Sequence, residues 1–312
     1  MAPKHADSVI CPKCGYDQSG IVESWTDRCP LSGRCAECGL EFDWADVMDP
    51  KRVCLPWYTE HATGPMQMLR RTPGTIIRLM YPPVFWSRVG VMMELRLRRL
   101  VLWSLAVAFA VHLCASVFVG LGNWADNGRF QYGSFSSYLS TYGFLGVIRL
   151  LFNAILNGIA YMEFDPAGDP IFGLGVTYYS SHSGSWFVFL PYAGMVILWL
   201  VVLLAIPTTR RLAKLRGVHI ARATIISLLA IWIIFEGFRA VIGIDIWLGL
   251  PLWLAMSFGW LILAMGGWFL LFWGSAVRTG WEIGPSWLLI ILGTIASILG
   301  GLVAAALPTL LS

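Results

Sequence analysis

Apolar residues are collected into long uninterrupted runs that occupy the later two thirds of the chain. Four runs of about 20 residues contain no Asp, Glu, Lys or Arg, and a helix of that length crosses roughly 30 Å of hydrocarbon. These runs cover residues 101–121, 186–206, 252–273 and 287–307. A fifth, residues 223–244, carries charge only at Glu236 and Arg239. The pattern predicts an all-α polytopic membrane helix bundle with about five transmembrane helices.

The two charges of the fifth run are spaced to meet on one helix face. Glu236 and Arg239 stand at i, i+3, so they can pair with each other and reduce the cost of burial in hydrocarbon. We interpret them as an intramembrane structural pair. The alternative is a proton or substrate site in a small transporter or channel, to which His112 in the first run would belong. A transporter is often built from internal repeats, and the sequence has no clear repeat.

Composition supports the membrane assignment and divides the chain. Hydrophobic residues make up 57% of the sequence and charged residues 13%, against about 25% charged in soluble domains. Residues 1–99 hold 13 of the 22 Lys and Arg and 11 of the 18 Asp and Glu. The polar head therefore ends near Leu100, and residues 101–312 form the transmembrane domain.

Basic residues predict the orientation, because Lys and Arg collect in cytoplasmic loops. Basic clusters precede residue 101 and lie between residues 206 and 223, and Arg278 follows the run 252–273. With five spans all three fall inside, the N-terminus is cytosolic, the C-terminus is outside, and residues 122–185 form an outside segment. A sixth span at residues 144–160 would place the 206–223 cluster outside. The polar stripe of that segment favours an interfacial or packed helix, and whether it spans stays open.

Residues 83–100 have the composition of an amphipathic lead-in helix. Phe85, Trp86 and Met92 can face lipid, while Arg88 and Arg96 can reach lipid phosphates. Residues 51–82, which precede it, are interpreted as a linker.

Two Cys-x-x-Cys pairs in the head predict a metal site within residues 1–50. Twenty residues separate the pairs, a layout typical of a tetrahedral structural zinc site. The predicted ligands of one Zn²⁺ per chain are Cys11, Cys14, Cys35 and Cys38. Gly15 and Gly39 follow the pairs and would allow the tight turns that aim the sulfurs at one point. A segment of this size needs a metal to fold, so the expected fold is a small β zinc ribbon.

Several features bear on the compartment and on the ligand set. Residues 1–10 contain no apolar signal segment, so we expect the head to remain in the reducing cytosol. Iron with the same ligands is the main alternative to zinc. Cys29 has no partner at the two-residue spacing and is interpreted as a loop thiol, although it could replace Cys35 as a ligand.

The stretches CPKCGYDQSG and CAECGLEFDW resemble the ribbon that begins many bacterial multi-pass membrane proteins. This resemblance implies metal ligation by the four paired cysteines and a bacterial inner (cytoplasmic) membrane location. The five spans, the cytosolic head and the stretch YPPVFW resemble, at the level of architecture, the Yip family of five-span membrane proteins. That resemblance implies a role in membrane organisation or trafficking.

The sequence therefore predicts a non-enzymatic membrane protein whose ribbon binds a cytosolic protein partner. The chain has no phosphate loop, hydrolase elbow or paired metal-binding histidines. Asp165 and Asp169 each precede a proline and are interpreted as turn residues, with an outer cation site formed by these two and His182 as the alternative. The net charge of +4 and the lack of a dense basic patch on either knuckle do not favour nucleic acid. The sequence leaves the oligomeric state open.

Overall fold

The computed structural model describes residues 9–26, 28–132, 140, 143–144, 184–205, 214–248, 258–283 and 286–311. Within them the chain is mostly helical, with a small two-stranded sheet near the N-terminus. Most of the segment that we predict to lie outside, including residues 145–160, falls beyond the described residues. The prediction for 144–160 therefore stays open.

The head contains short elements around the cysteine pairs. Helix α1 (Ser19–Glu23) follows the first pair, and strands β1 (Ser32–Arg34) and β2 (Glu41–Asp43) flank the second. The strands pair antiparallel, with Gly33 opposite Phe42. Helix α2 (Trp44–Met48) follows β2 directly. A small core forms where Trp44 packs edge-on against Phe42 and Trp25, at 5.0 and 4.8 Å between ring centroids.

The segment between the head and the first long helix is more ordered than a linker. After two single 3₁₀ turns, Pro50–Val53 and Thr59–His61, helix α3 runs over Pro65–Leu79. Pro65 stands in its first turn, where a missing N–H costs nothing. Helix α4 (Pro82–Trp86) is one turn long and also begins with prolines.

The predicted lead-in helix is not continuous. Within residues 83–100 the structure has the end of α4, a non-helical stretch, and the beginning of α5 at Leu97. Phe85 and Trp86, which we expected to face lipid, are 0% and 1% exposed. They are buried by aromatic packing, with the Trp86 ring centroid 5.3 Å from that of Phe272.

Five long helices follow within the described residues. They are α5 (Leu97–Tyr132), α6 (Gly184–Ala205), α7 (Gly217–Leu248), α8 (Phe258–Ser275) and α9 (Ser286–Leu311). Three contain segments long and apolar enough to cross a membrane, namely Leu97–Gly122, Gly217–Asp245 and Ser286–Ala304. These coincide with three predicted spans. In α6 the described apolar segment is Pro191–Leu204, which is shorter than a span. The prediction of five spans remains a prediction.

Contacts divide the chain into two compact units. The first draws on Met1–Ser104, Val196–Ala230 and Trp268–Ile298, and the second on Leu105–Met195, Ile231–Gly267 and Leu299–Ser312. The core of the first unit is aromatic: the ring of Trp273 lies 5.7 Å from Trp199 and 6.2 Å from Trp281. The wide π-type turn Ala276–Gly280 brings Gly280 against Trp86, where a Cβ would lie 2.6 Å from the indole ring.

In the second unit, helices α5 and α7 approach closely through glycine. A Cβ added at Gly122 would lie 2.7 Å from the carbonyl oxygen of Gly243. Small residues permit such backbone contact between apolar helices. The Trp232 indole also donates to the Ala108 carbonyl at 3.2 Å, which fixes the same helix pair.

Candidate metal centre

The two cysteine pairs form matching turns. In the first, the Cys11 N–H donates to the Tyr16 carbonyl and the Gly15 N–H to the Cys11 carbonyl, both at 2.8 Å. In the second, the Cys35 and Gly39 amides repeat the pattern at 2.9 Å. Gly15 and Gly39 have φ of +80° and +70°, in the left-handed region that favours glycine. The predicted role of both glycines is confirmed.

The turns bring four sulfurs together. The Sγ atoms of Cys11, Cys14, Cys35 and Cys38 all lie within 4.8 Å of one another, so this set could hold a metal ion. Cys11 Sγ lies 3.7 Å from Cys38 Sγ, and Cys14 Sγ lies 3.6 Å from Cys35 Sγ. A tetrahedral site with metal–sulfur bonds of about 2.3 Å has sulfur–sulfur edges of about 3.8 Å. The observed spacing therefore fits a tetrahedral thiolate site with little rearrangement.

The cysteine thiols of the cluster differ in pKa. Burial raises the pKa of Cys11 to about 11 and also raises the pKa of Cys14. Burial acts on Cys35 in the same direction, but the backbone amides of Cys38 and Glu37 outweigh it and lower its pKa to about 7. Because metal ligands are deprotonated, metal binding at this site releases protons.

Cys29 lies apart from the cluster. Its side chain is exposed, and its sulfur donates to the Pro30 carbonyl at 3.3 Å. The cluster contains Cys35 in the position that Cys29 could have taken. Among the described residues, the geometry thus supports the ligand set with Cys35.

The first turn is packed against the beginning of α7, a contact that the sequence did not reveal. His219 Nε2 donates to the Pro12 carbonyl at 2.9 Å, and the Arg216 N–H donates to the Lys13 carbonyl at 3.0 Å. The Arg216 side chain also covers Gly15, 3.5 Å from the position of a Cβ there. Lys13 is 7% exposed as a result.

The second turn is more open. Ala36 and Glu37, which correspond to Pro12 and Lys13, are both exposed. Glu37 forms an ion pair with Lys214 at 2.5 Å, between side chains that are 48% and 31% exposed. This carboxylate raises the pKa of Lys214. The site is therefore asymmetric: the chain itself covers one turn and leaves the other accessible.

A buried ion pair lies elsewhere in the first unit and was also missed. Arg222 Nε lies 2.9 Å from Glu60 Oε2, and both side chains are almost fully buried. The other carboxylate oxygen accepts the Arg96 N–H at 2.7 Å, and Arg222 Nη2 donates to the Glu94 carbonyl at 3.1 Å. Breaking a buried pair leaves an uncompensated charge, so we expect the loss of either partner to destabilise the protein strongly. It ties the beginning of α7 to the turn Thr59–His61.

The predicted Glu236–Arg239 pair is present and has a third member. Arg239 Nη1 donates to both carboxylate oxygens of Glu236, at 2.8 and 3.0 Å. His112 Nδ1 lies 2.8 Å from Glu236 Oε1 and 3.2 Å from Arg239 Nη1. The pair is buried, whereas 22% of the His112 side chain is exposed. The imidazole can donate to Glu236 or, in its other tautomer, accept from Arg239.

The remaining sequence candidates cannot be placed. Asp165, Asp169 and His182 lie outside the described residues. The two interpretations of these residues, as turns or as an outer cation site, therefore both stay open.

Comparison of the chain with known protein families, with curated proteins and with solved structures finds no match. The resemblances to ribbon-headed bacterial membrane proteins and to the Yip family therefore stay expectations from sequence. The four-cysteine cluster and the three apolar helices rest on the structure itself.

Proposed function

We propose that the chain is a non-enzymatic integral membrane protein that holds a structural zinc ribbon at the cytosolic ends of its helices for a protein partner to bind. The observation that carries this proposal is the asymmetry of the ribbon. Arg216 and His219 bind the backbone of the first turn, which fixes the ribbon to α7. In the second turn Ala36 and Glu37 are exposed, although Glu37 pairs with Lys214, and the loop before β1 is exposed as well.

We propose zinc as the metal because four-cysteine sites of this spacing are characteristic of structural zinc. Four thiolates at tetrahedral spacing leave no open coordination position for water, which is the arrangement of structural rather than catalytic zinc. When bound, zinc would join the two turns, while the chain's own residues orient the sulfurs and attach the ribbon to α7. Elemental analysis of detergent-purified protein tests this, with about one zinc per chain expected. An equivalent amount of iron, or no metal under reducing conditions, would contradict it.

The exposed loop beside the second turn is the surface that we assign to the partner. Leu31 is 90% exposed, although a leucine in a ribbon of this size would contribute most when buried. It adjoins Cys29 and Pro30, which are also exposed. Ala36 of the second turn is also exposed and is a second position at which a crosslinker can be placed.

Site-specific photo-crosslinking in cells tests the partner proposal. A photoreactive residue at Leu31 or at Ala36 should give an adduct with the same protein, while one at Lys13 should give only adducts within the chain. The intermolecular adduct should disappear when Cys35 and Cys38 are both changed to Ser. Absence of a protein adduct at both exposed positions, or an adduct that persists without the cysteines, would argue against a partner of the folded ribbon.

For the membrane domain we propose five spans, formed by α5 to α9, in a bacterial inner membrane. With the N-terminus cytosolic, the Arg216–Arg222 region and Arg278 face the cytosol, as expected for basic residues. Reporter fusions after Asp245 and after the C-terminal residue should both report the outside. A cytosolic signal from the C-terminal fusion would contradict five spans. A role in membrane organisation or trafficking follows only by resemblance.

A second candidate function is a small transporter or channel, and the position of His112 favours it. An ionisable group that joins a buried charge pair inside candidate spans is a common feature of proton pathways. Proton flux into proteoliposomes under an imposed potential distinguishes the two. A transporter should lose flux in Glu236→Gln, whereas a protein that only binds a partner should show no flux before or after the change.

A further inference from the structure

Helix α3 exposes an apolar stripe on the side opposite its packing contacts. Met66, Leu69 and Ile77 are 63%, 67% and 64% exposed. With Arg70 and Pro73, which are also exposed, they stand at i, i+3, i+4, i+7 and i+11. This spacing places all five on one helix face.

The opposite face of α3 carries polar and apolar residues and is well packed. Thr75, 1% exposed, donates to the Trp57 carbonyl at 2.8 Å and accepts the Thr59 N–H at 3.2 Å. Leu79 is fully buried. Helix α3 therefore differs from a helix on the surface of a soluble protein, because Met66, Leu69 and Ile77 are exposed while Thr75 is buried.

A contact with α5 places α3 beside the beginning of the first candidate span. The Trp103 indole donates to Thr72 Oγ1 at 2.9 Å. Trp103 lies six positions after the beginning of the candidate span Leu97–Gly122, about 9 Å along the helix. Helix α3 therefore lies beside the beginning of a candidate membrane span.

The charge of this region matches an anionic lipid surface. Residues 65–93 contain four Arg and no Asp or Glu. Arg70 stands within the exposed stripe, and Arg88 is exposed shortly after α4. Tyr81 and Val84, 69% and 53% exposed, continue the apolar surface beyond the end of α3.

We propose that α3 is an interfacial helix whose stripe of Met66, Leu69, Arg70, Pro73 and Ile77 inserts into the leaflet that contains the beginning of the first span. Its occupant is the bilayer surface itself, with Arg70 on anionic phosphate groups and the apolar side chains at the acyl boundary. The inference rests on the membrane insertion stated under the proposed function. It goes further by assigning α3 as a monotopic anchor in a segment without a span.

Lipid photo-crosslinking on the full chain in nanodiscs tests the inference. The nanodiscs contain phosphatidylcholine and phosphatidylglycerol, and a diazirine amino acid replaces Leu69 or Ile77. Phe109, 62% exposed within the first candidate span, is the positive control, and Leu31 in the ribbon is the negative control. Lipid adducts should form at positions 69, 77 and 109 and be absent at 31.

The outcomes separate this inference from the proposed function. Lipid adducts at 109 but none at 69 and 77, or adducts there with a second copy of the chain, would overturn the interfacial role of α3 and leave membrane insertion intact. Absence of lipid adducts at 109 would overturn membrane insertion as well.

The arginine adds a second measurement. Arg70→Gln should lower the ratio of phosphatidylglycerol to phosphatidylcholine adducts at position 69 about fivefold, the effect of one cation at an anionic surface. The matched variant Arg52→Gln, also at an exposed arginine but in the head, should leave the ratio unchanged. An unchanged ratio in Arg70→Gln would remove the role assigned to that side chain.

Discussion

His219 donates its Nε2 hydrogen to the carbonyl oxygen of Pro12, which stands 207 positions earlier in the chain, at 2.9 Å. The bond closes the first cysteine turn over the beginning of α7. Its removal should therefore loosen the ribbon without removing any metal ligand.

His219→Ala should increase hydrogen exchange at the Cys11 and Gly15 amides. Loss of one partly buried hydrogen bond costs about 1 to 2 kcal/mol, which corresponds to exchange roughly 5 to 30 times faster if the opening is local. Lys214→Ala is the control, because it removes a partly exposed ion pair of the second turn and leaves the first turn's contacts in place. Equal protection in His219→Ala and wild type would contradict the anchoring role of this contact.

Cys35→Ser should abolish stoichiometric metal binding, and the matched variant Cys29→Ser should retain it. Cys35 belongs to the four-sulfur cluster, whereas Cys29 is exposed outside it. Elemental analysis and protease sensitivity of the head measure the result. Since structural zinc contributes on the order of 10 kcal/mol to such small folds, the head should become protease-sensitive when the metal is lost. If Cys29→Ser lost the metal and Cys35→Ser retained it, Cys29 and not Cys35 would be the ligand.

Glu60→Gln should destabilise the protein by about 3 to 5 kcal/mol, because it leaves Arg222 charged and buried. The double variant Glu60→Leu/Arg222→Met should recover most of this loss, since it removes both charges. Asp46→Asn is the exposed comparison: its partner Arg52 is 60% exposed, and the expected cost is about 0 to 1 kcal/mol. Thermal unfolding in detergent measures all three. Similar costs for Glu60→Gln and Asp46→Asn would show that the buried pair is dispensable.

Substitutions at His112 and Glu236 should have coupled effects on the free energy of unfolding. In a double-mutant cycle of His112→Ala and Glu236→Gln, we expect a coupling of about 0.5 to 3 kcal/mol, because Glu236 Oε1 contacts the imidazole directly. His112→Ala combined with Asp46→Asn should be additive within about 0.5 kcal/mol. Additive effects of His112→Ala and Glu236→Gln would show that His112 contributes nothing to the Glu236–Arg239 ion pair.

Acidification should destabilise the region around His61. Burial lowers the pKa of His61 below its ordinary value, and its Nδ1 accepts the Leu55 N–H at 3.1 Å. The unfolded chain therefore binds a proton more readily than the native one. The contribution of His61 to stability is present above pH about 6.5 and is lost as the pH falls below it towards the lowered native pKa.

The His61→Gln variant isolates this effect. The melting temperature of wild type should fall more steeply between pH 7.5 and pH 5.5 than that of the variant. Metal release at low pH affects both proteins equally, so the difference in slope reports His61. Parallel slopes would exclude a titration of this residue in unfolding.

Local spacing accounts for the parts of the site that the sequence could predict. Each cysteine pair and its glycine lie within five residues, and Glu236 and Arg239 lie within one helical turn, so short-range geometry determines their contacts. The contacts of His219 with Pro12 and of His112 with Glu236 join residues more than 100 positions apart. No periodicity encodes such pairings.

The boundary between head and spans was harder to predict for a different reason. Pro73 inside α3 and the prolines at the beginning of α4 resemble the composition of a linker, although Pro73 is exposed and the helix continues past it. Arg222 resembled one more basic flanking residue, because only the fold brings Glu60 to it. The aromatic residues of 83–100 were assigned to lipid, whereas Phe85 and Trp86 complete the aromatic core of the first unit.

The attachment of the first turn to α7 also has a consequence for biosynthesis. Both cysteine pairs have been made when residue 38 is added, so the ribbon can bind metal while the chain is still short. His219 is made about 180 residues later, which at roughly 5 to 20 residues per second takes about 10 to 40 s. During that interval the surface around Pro12 and Lys13 is uncovered on the nascent chain, because the helix against which the first cysteine turn packs has not yet been made.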